Sequence, residues 1–261
     1  MADGLPGFIP RKLLPKDLLE LLAFVPTRGW DAIEWRPLLE QLRRVSWQLA
    51  SRRGVNQLAV SANALTDALV VQATPGAGLE ALGKRQKKSA GDAILRFYFA
   101  QFKNPDGLFL DLREPRFVSD NGVLHFRPSG LYVALDADFR LGMIDLYRGF
   151  YAPDPVLLDE ALHRMGFLHD ALTSAKEREL KGLLEKHFGA QQRSQSFSIS
   201  AFRESFNALF DFFINNGYSL RSDFVLVGFY LITLYLVLES LGQQHDVKAL
   251  WEQEMVLSID S

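Results

Sequence analysis

Between Gly107 and Phe117 the chain crowds two acids and two arginines into one short stretch, with Asp111, Arg113, Glu114 and Arg116 standing within six residues. Asp111, Arg113 and Arg116 are the candidate ligand-binding residues of this sequence. The plainer reading of the same residues is a solvated turn, with Asp111 paired to Arg113 or Glu114 to Arg116. Such surface pairs contribute little stability.

Other chemistries fail on spacing. Gly78-Leu79-Glu80-Ala81-Leu82-Gly83-Lys84 has the spacing of a phosphate-binding P-loop. The next residue is Arg85, so no hydroxyl is offered to magnesium, and Leu-Glu-Ala-Leu is a helix-forming tetrapeptide rather than a permissive cradle. The dinucleotide fingerprint fails at Ala81, where its third glycine belongs. The five histidines are His125, His163, His169, His187 and His245, and no two are four apart, as a helical zinc pair requires. Glu160-Ala161-Leu162-His163 has the form of a di-iron half-site, but no second Glu-x-x-His exists, and Asp159 one turn before His163 suggests an ion pair instead. There is no Gly-x-Ser-x-Gly elbow and no cysteine, which removes the commonest serine-hydrolase signature, thiolate catalysis and disulfides. No catalytic residue, metal or cofactor is therefore assigned.

The charge balance is nearly even, 29 Lys and Arg against 31 Asp and Glu, so nucleic acid is not an expected partner. The basic run Lys84 to Lys88 lies among Gly and Ser residues and reads as a solvated loop. The N-terminus lacks the order of a secretory signal, which makes cytoplasmic residence the expectation. Phe224 to Leu238 carries no charge, but it is shorter than the roughly 18 to 20 apolar residues that span a bilayer. It reads as the central helix of a bundle, and a membrane is not an expected partner.

The elements that would hold these residues are mostly helices. Leu18 to Leu22 forms an apolar run ended by Pro26. Pro37 opens a helix with Leu38, Leu42, Val45 and Leu49 on one face and Gly54 as its left-handed stop. A third helix runs through Leu58, Leu65 and Leu69, although Val70-Val71 favours strand. Ile94, Leu95, Tyr98, Phe99 and Phe102 stripe another, ended by the turn Asn104-Pro105-Asp106-Gly107. The period then shortens: Leu108–Leu112, Phe117–Val118, Val123–Phe126 and Leu131–Leu135 are short apolar runs between turn clusters, as in a small antiparallel sheet. Helices return after Asp136, Asp154, the Ser174–Glu177 capping box, Ser200 and Ser222-Asp223.

The predicted fold is mainly α with a small central antiparallel β-sheet (α+β) and a helical C-terminal half. Residues 1–75 form an N-terminal helical segment, 76–91 a linker or mobile loop, and 92–261 an α+β core with a C-terminal helical bundle. From Ala93 to Gly166 the order of elements resembles the C-terminal lobe of kinase-like folds, especially the UbiB type of atypical kinase. The resemblance implies that Asp111 stands for the catalytic aspartate, Gly130 for the glycine of the metal loop, and Leu135 to Arg140 for the entry of the following helix. Departures accompany it: Arg116 or Phe117 occupies the place of the magnesium-binding asparagine, and Pro128 that of the metal aspartate. Nothing before Ala93 resembles a glycine-rich lid or a strand lysine, which phosphoryl transfer needs. The resemblance thus implies a relic scaffold without kinase activity.

The resulting functional expectation is a non-catalytic interaction or regulatory protein whose partner is another protein. The alternatives are a degenerate kinase-like scaffold or nucleotide binder, and a carrier of a lipophilic ligand. The last draws on the ten aromatics between Phe202 and Tyr235, with tyrosine hydroxyls at the mouth of a pocket.

Overall fold

The computed structural model describes residues 16–22, 24–25, 29, 32–48, 52–128, 131–168, 172–188 and 195–255. The described chain is mainly helical, with a few short strands near its middle and a helical C-terminal half. It begins with α1 (Lys16–Leu22), α2 (Trp35–Gln48) and α3 (Arg52–Asn63), followed by β1 (Val70–Val71) and β2 (Ala77–Gly78). The long helix α4 (Lys84–Gln101) leads into β3 (Leu108–Phe109), β4 (Phe117–Asp120), β5 (Val123–Phe126) and β6 (Tyr132–Val133). Then come α5 (Ala137–Tyr151), α6 (Pro155–Arg164), α7 (Ser174–Phe188), β7 (Gln195–Ser196), α8 (Ile199–Asn215), α9 (Ser222–Leu241), β8 (Gln244–His245) and α10 (Val247–Met255).

The core is organised around α9. A helix apolar on every face must be enclosed on every face, and α1, α2, α4 and α8 all pack against it. It is 20 residues long, longer than its uncharged run, because Ser222 and Asp223 open it and Gly242, in the left-handed conformation, ends it. It is thus long and apolar enough to cross a membrane, but 83% of its most apolar window is buried inside the protein. Each Phe, Leu or Val so buried contributes about 1.5–3 kcal/mol.

The few polar atoms of α9 tie down its neighbours. Asp223 is buried; its carboxylate accepts from the Asp136 amide at 2.9 Å and from Gln41 Nε2 at 3.1 Å, joining the starts of α5 and α9 to α2. The Tyr230 hydroxyl donates to the Tyr98 carbonyl (3.2 Å) and accepts from Gln101, whose own Oε1 accepts from the Phe109 amide at 2.6 Å. Thr233 Oγ1 donates to the Leu110 carbonyl at 2.9 Å and accepts from the Leu112 amide at 3.1 Å. Residues 110 to 112 lie outside any strand, so this hydroxyl supplies what a strand partner would have supplied.

The predicted single antiparallel sheet is two small sheets. One has the order β1-β5-β4-β2, with β1 parallel to β5 and the other pairs antiparallel; the other is the antiparallel pair β3–β6. Asn121 and Gly122 turn the β4–β5 hairpin with φ of 49° and 83°, the positive pair a two-residue hairpin loop requires. Gly107 is needed for a second reason: at φ +139° a Cβ there would lie 2.4 Å from the Val133 carbonyl oxygen, so only glycine lets β3 reach β6.

Several local readings change. Residues 76–91 are not a linker: β2 and one 3-10 turn occupy the first part, and Lys84 to Gly91 form the first two turns of α4. Gly83 is the helix N-cap, with its amide bonded to Gln86 Oε1 at 3.0 Å. The basic run is therefore helical. Gly54 lies inside α3 rather than ending a helix, and Pro26 and Leu49 lie outside the described residues. The third helix stops at Asn63, well before Leu69, because Asn63 is recruited by β1. Its side chain accepts from the Val71 amide at 2.6 Å and donates to the Val71 carbonyl at 3.1 Å, closing the outer edge of the sheet. Thr173, not Ser174, precedes α7 and accepts from the Lys176 amide, and Ser198, not Ser200, caps α8.

Replacing Thr233 by the nearly isosteric Val would strand a buried amide at Leu112 and remove the donor to Leu110. Thr233→Val is expected to lower stability by about 1–3 kcal/mol, read as a lower urea midpoint at unchanged slope.

Candidate functional site

Asp111, Arg113 and Arg116 come together in the structure, as one buried charge cluster. Leu110 and Leu112, both 0% exposed, point into the core, and Asp111 between them is itself only 1% exposed. Its Oδ1 accepts from Arg113 Nε at 2.8 Å and from the Arg113 amide at 3.1 Å. Its Oδ2 accepts from Arg113 Nη2 at 3.0 Å and from Arg116 Nε at 2.8 Å. These four hydrogen bonds occupy the roughly four lone-pair sites of a carboxylate. The 3-10 turn Glu114–Arg116 folds the second arginine back onto the aspartate; Pro115 inside that turn and the Arg116 amide bond to the Arg113 carbonyl (2.9 Å) hold its shape. Arg113 also reaches Glu20 of α1, Nη1 to Oε2 at 2.5 Å, so the N-terminal helix is latched to this loop.

The solvated-turn reading is therefore corrected. Asp111 is buried, and it takes both arginines. Burial by itself disfavours the charged carboxylate, but the hydrogen bond and charge of Arg113, with the charge of Arg116, outweigh it and hold the Asp111 carboxyl below its ordinary range. A carboxylate saturated in this way is a poor general base. Taking up a proton would leave two guanidinium groups facing an uncharged acid.

Among the described residues, the positions carried over from the kinase-like resemblance are committed to the fold. Phe117 is 1% exposed, in the core, and Arg116 is committed to Asp111. Asp136 caps α5 by accepting from the Phe139 amide at 3.1 Å, and Arg140 donates to the Phe102 carbonyl at 2.7 Å, closing the end of α4. Gly130 lies outside the described residues. At the P-loop-like spacing Gly78 and Gly83 both have extended backbone (φ −67° and −69°), and Leu79–Ala81 form a 3-10 turn, so no phosphate cradle is present there. Among the described residues no group of three His, Asp or Glu side chains is arranged to hold a metal ion. His163, one half of the di-iron-like motif, bonds through Nδ1 to the Leu168 carbonyl at 3.1 Å, while Asp159 pairs with Lys181.

The aromatic stretch Phe202–Tyr235 packs on itself. Phe202, Phe206 and Phe210 follow one another at ring separations of 5.4 and 4.9 Å, and Phe206 lies against Phe224. The Tyr230 hydroxyl is 0% exposed and serves the backbone of α4; it stands at no pocket mouth. In the same layer His187 is enclosed by Phe188, Phe202 and Phe206 and donates from Nδ1 to Ser205 Oγ at 2.9 Å, since Ser205 itself donates to the Phe202 carbonyl. Burial pushes its pKa down to about 3, so it remains a neutral core residue.

Two open clefts lie elsewhere, and Asp111 lines neither. One, of about 370 Å³, runs between the first turns of α4, residues 67–70 and the tip of the β4–β5 hairpin. The other, of about 430 Å³, lies between the end of α5, the start of α6 and α7. Neither was visible in the sequence, because each is lined by residues far apart along the chain. Compared with known proteins, the chain matches no family model, and no curated protein matches it significantly.

Two pH dependences follow, one setting in below about pH 6.5 and the other below about pH 3.9. A depressed carboxyl contributes stability above its unfolded pKa of about 3.9 and loses it as pH falls through the lowered folded value. Asp67 and Asp92 are lowered as well and share that limb. Asp111→Ala is expected to cost up to about 3 kcal/mol at neutral pH, less than a fully buried pair because both arginines are partly exposed. It should also flatten the acid limb of a urea-midpoint profile. For His187 the unfolded chain takes up a proton from about pH 6.5 downward while the folded one does not. Stability therefore falls as pH drops from there toward about 3, and His187→Phe should reduce that fall without altering the Asp111 limb.

Proposed function

We propose that this chain is a non-catalytic protein that works by binding another protein, on a scaffold related in element order to the C-terminal lobe of kinase-like folds. The observation that carries the reading is the saturation of Asp111. Four hydrogen bonds from Arg113 and Arg116 spend the carboxylate on the fold, and Arg113 carries the latch on to Glu20 of α1. A residue so used holds a loop and a helix together. It is not poised to accept a substrate proton, which a general base must do from within hydrogen-bond reach.

The scaffold reading is favoured by a specific feature. Helix α4, the short pair β3–β6 around the Asp111 loop, the β4–β5 hairpin and α5 follow one another in the order of that lobe. Where the metal-binding residues belong, the chain has Arg116 or Phe117 and Pro128. On that alternative reading the frame is kept and the phosphoryl-transfer groups are replaced. A partner that is protein rather than nucleic acid accords with the near-neutral net charge of -2, and a cytoplasmic setting is part of the same proposal.

A ligand that binds only the folded state raises stability by about 2.7 kcal/mol at a hundredfold excess over its dissociation constant. The reading expects no rise in melting temperature with ATP and magnesium, and none with isoprenoid lipids. A saturable rise with ATP·Mg would overturn it in favour of a nucleotide binder; a rise with lipid would favour the carrier.

A further inference from the structure

The first turns of α4 carry Lys84, Arg85, Lys87 and Lys88. The positive end of a helix dipole disfavours cations at that position, where acids are the stabilising choice. Of the four, only Lys88 has a partner inside the fold, Asp92 at 2.5 Å. Lys84, Arg85 and Lys87 take part in no ion pair or hydrogen bond through their side chains among the described residues. Local stability therefore does not account for them, and such breaches of a local rule are expected where a surface serves something outside the fold.

Arg85 stands on the wall of the 370 Å³ cleft. Gln86 and Ser89 line the same wall, and Leu69, Val70, Leu82, Ala90 and Leu124 supply an apolar lining. Val123, which lines the same cleft as Arg85, is 45% exposed, an apolar side chain left in solvent. The one acid lining the cleft, Asp67, is already held by Arg96. The sheet edge beside it is closed by Asn63, so strand addition at β1 is blocked and side chains must make the recognition.

We propose that this cleft is the docking site for an acidic segment of a partner protein, with apolar side chains seated against Leu69, Val70 and Leu124 and a carboxylate on Arg85. The assignment rests on the protein-binding reading above and specifies its surface. Lys84 and Lys87, on the adjoining face of α4, would steer the acidic segment toward the cleft without touching its apolar part.

The test uses the full chain and a fluorescein-labelled peptide in which Glu alternates with Val, followed by fluorescence anisotropy, with a Lys-for-Glu counterpart as control. The acidic peptide should bind saturably and more weakly as salt rises, and the basic one should not bind. Arg85→Glu and Val123→Asp should each weaken binding by roughly tenfold or more, while Leu141→Asp, an exposed apolar position on α5 that does not line the cleft, should leave it unchanged. Because Arg85→Glu puts an acid at a helix N-terminus, its melting temperature should hold or rise, which separates lost binding from lost folding. Binding indifferent to both cleft variants, or no saturable binding of the acidic peptide, would overturn the proposal. Arg85-dependent binding of inorganic pyrophosphate without binding of the peptide would likewise overturn it and make the cleft a phosphate site. A photo-crosslinking residue at Val123 and, separately, at Val156 distinguishes the two levels. A partner captured only at Val156 removes the cleft and leaves protein binding standing. Capture at neither position, with no peptide binding, removes both.

Discussion

Enclosing α9 is the constraint from which most of the structure follows. From Ser222 through Tyr235 every residue of this helix is buried, so each face needs a neighbour, and the neighbours come from both ends of the chain. Leu21 and Leu22 of α1, Leu38 of α2, the aromatic face of α4 and the phenylalanines of α8 share one apolar cluster with it. Burial at this depth tolerates few polar atoms, and each must be matched. Asp223, Tyr230 and Thr233 are matched to the backbone of α5, α4 and the Asp111 loop, so the helix that fills the core also sets the conformation of the loop that looked most reactive.

A second level of organisation is electrostatic. Asp111 with Arg113 and Arg116 ties a loop to α1 through Glu20. Glu254 of α10, 3% exposed, receives Arg96 at 3.1 Å, Lys103 at 2.9 Å and Thr66 at 3.0 Å, fastening α10 to α4 and to the segment before β1. In both clusters one buried carboxylate is shared between cations that keep partial contact with water, an arrangement that spares the fold the cost of burying a complete ion pair. Both consume charge for structure. On the first turns of α4, by contrast, Lys84, Arg85 and Lys87 have no such partner among the described residues, and the docking surface proposed there starts from that contrast with the committed Asp111 loop.

The helices were legible where a periodic apolar face met a clear terminus, as in α5 behind Asp136 and α6 between Asp154 and Gly166. Boundaries were misread where a polar side chain had a distant partner. Asn63 ends α3 because Val71 needs its amide, and nothing local to residues 58–69 signals that. Residues 76–91 looked like a linker because glycines and lysines are common in loops; Gly83 is instead a helix cap, and the basic residues form a helical face whose other side, from Ala90 onward, is buried. The hairpin turn at Asn121-Gly122 was readable from composition, while the parallel partner of β5, Val70–Val71, was not, since pairing across such a separation leaves no local trace.

By itself the sequence determined that the chain would be mainly helical with a short β segment, that α9 would be central, and that thiol and disulfide chemistry are absent. These follow from periodicity and residue type, which act locally. It also singled out Asp111, Arg113 and Arg116, because acids and arginines so crowded in one turn are unusual, although equally close Glu114 is not part of the pairing. Only the tertiary structure decided how they pair. Leu110 and Leu112, drawn into the core beside Thr233, turn Asp111 toward both arginines and away from solvent, changing a candidate reactive group into a structural one. That choice depends on which side of a loop the core lies, and the core is assembled from residues more than a hundred positions apart.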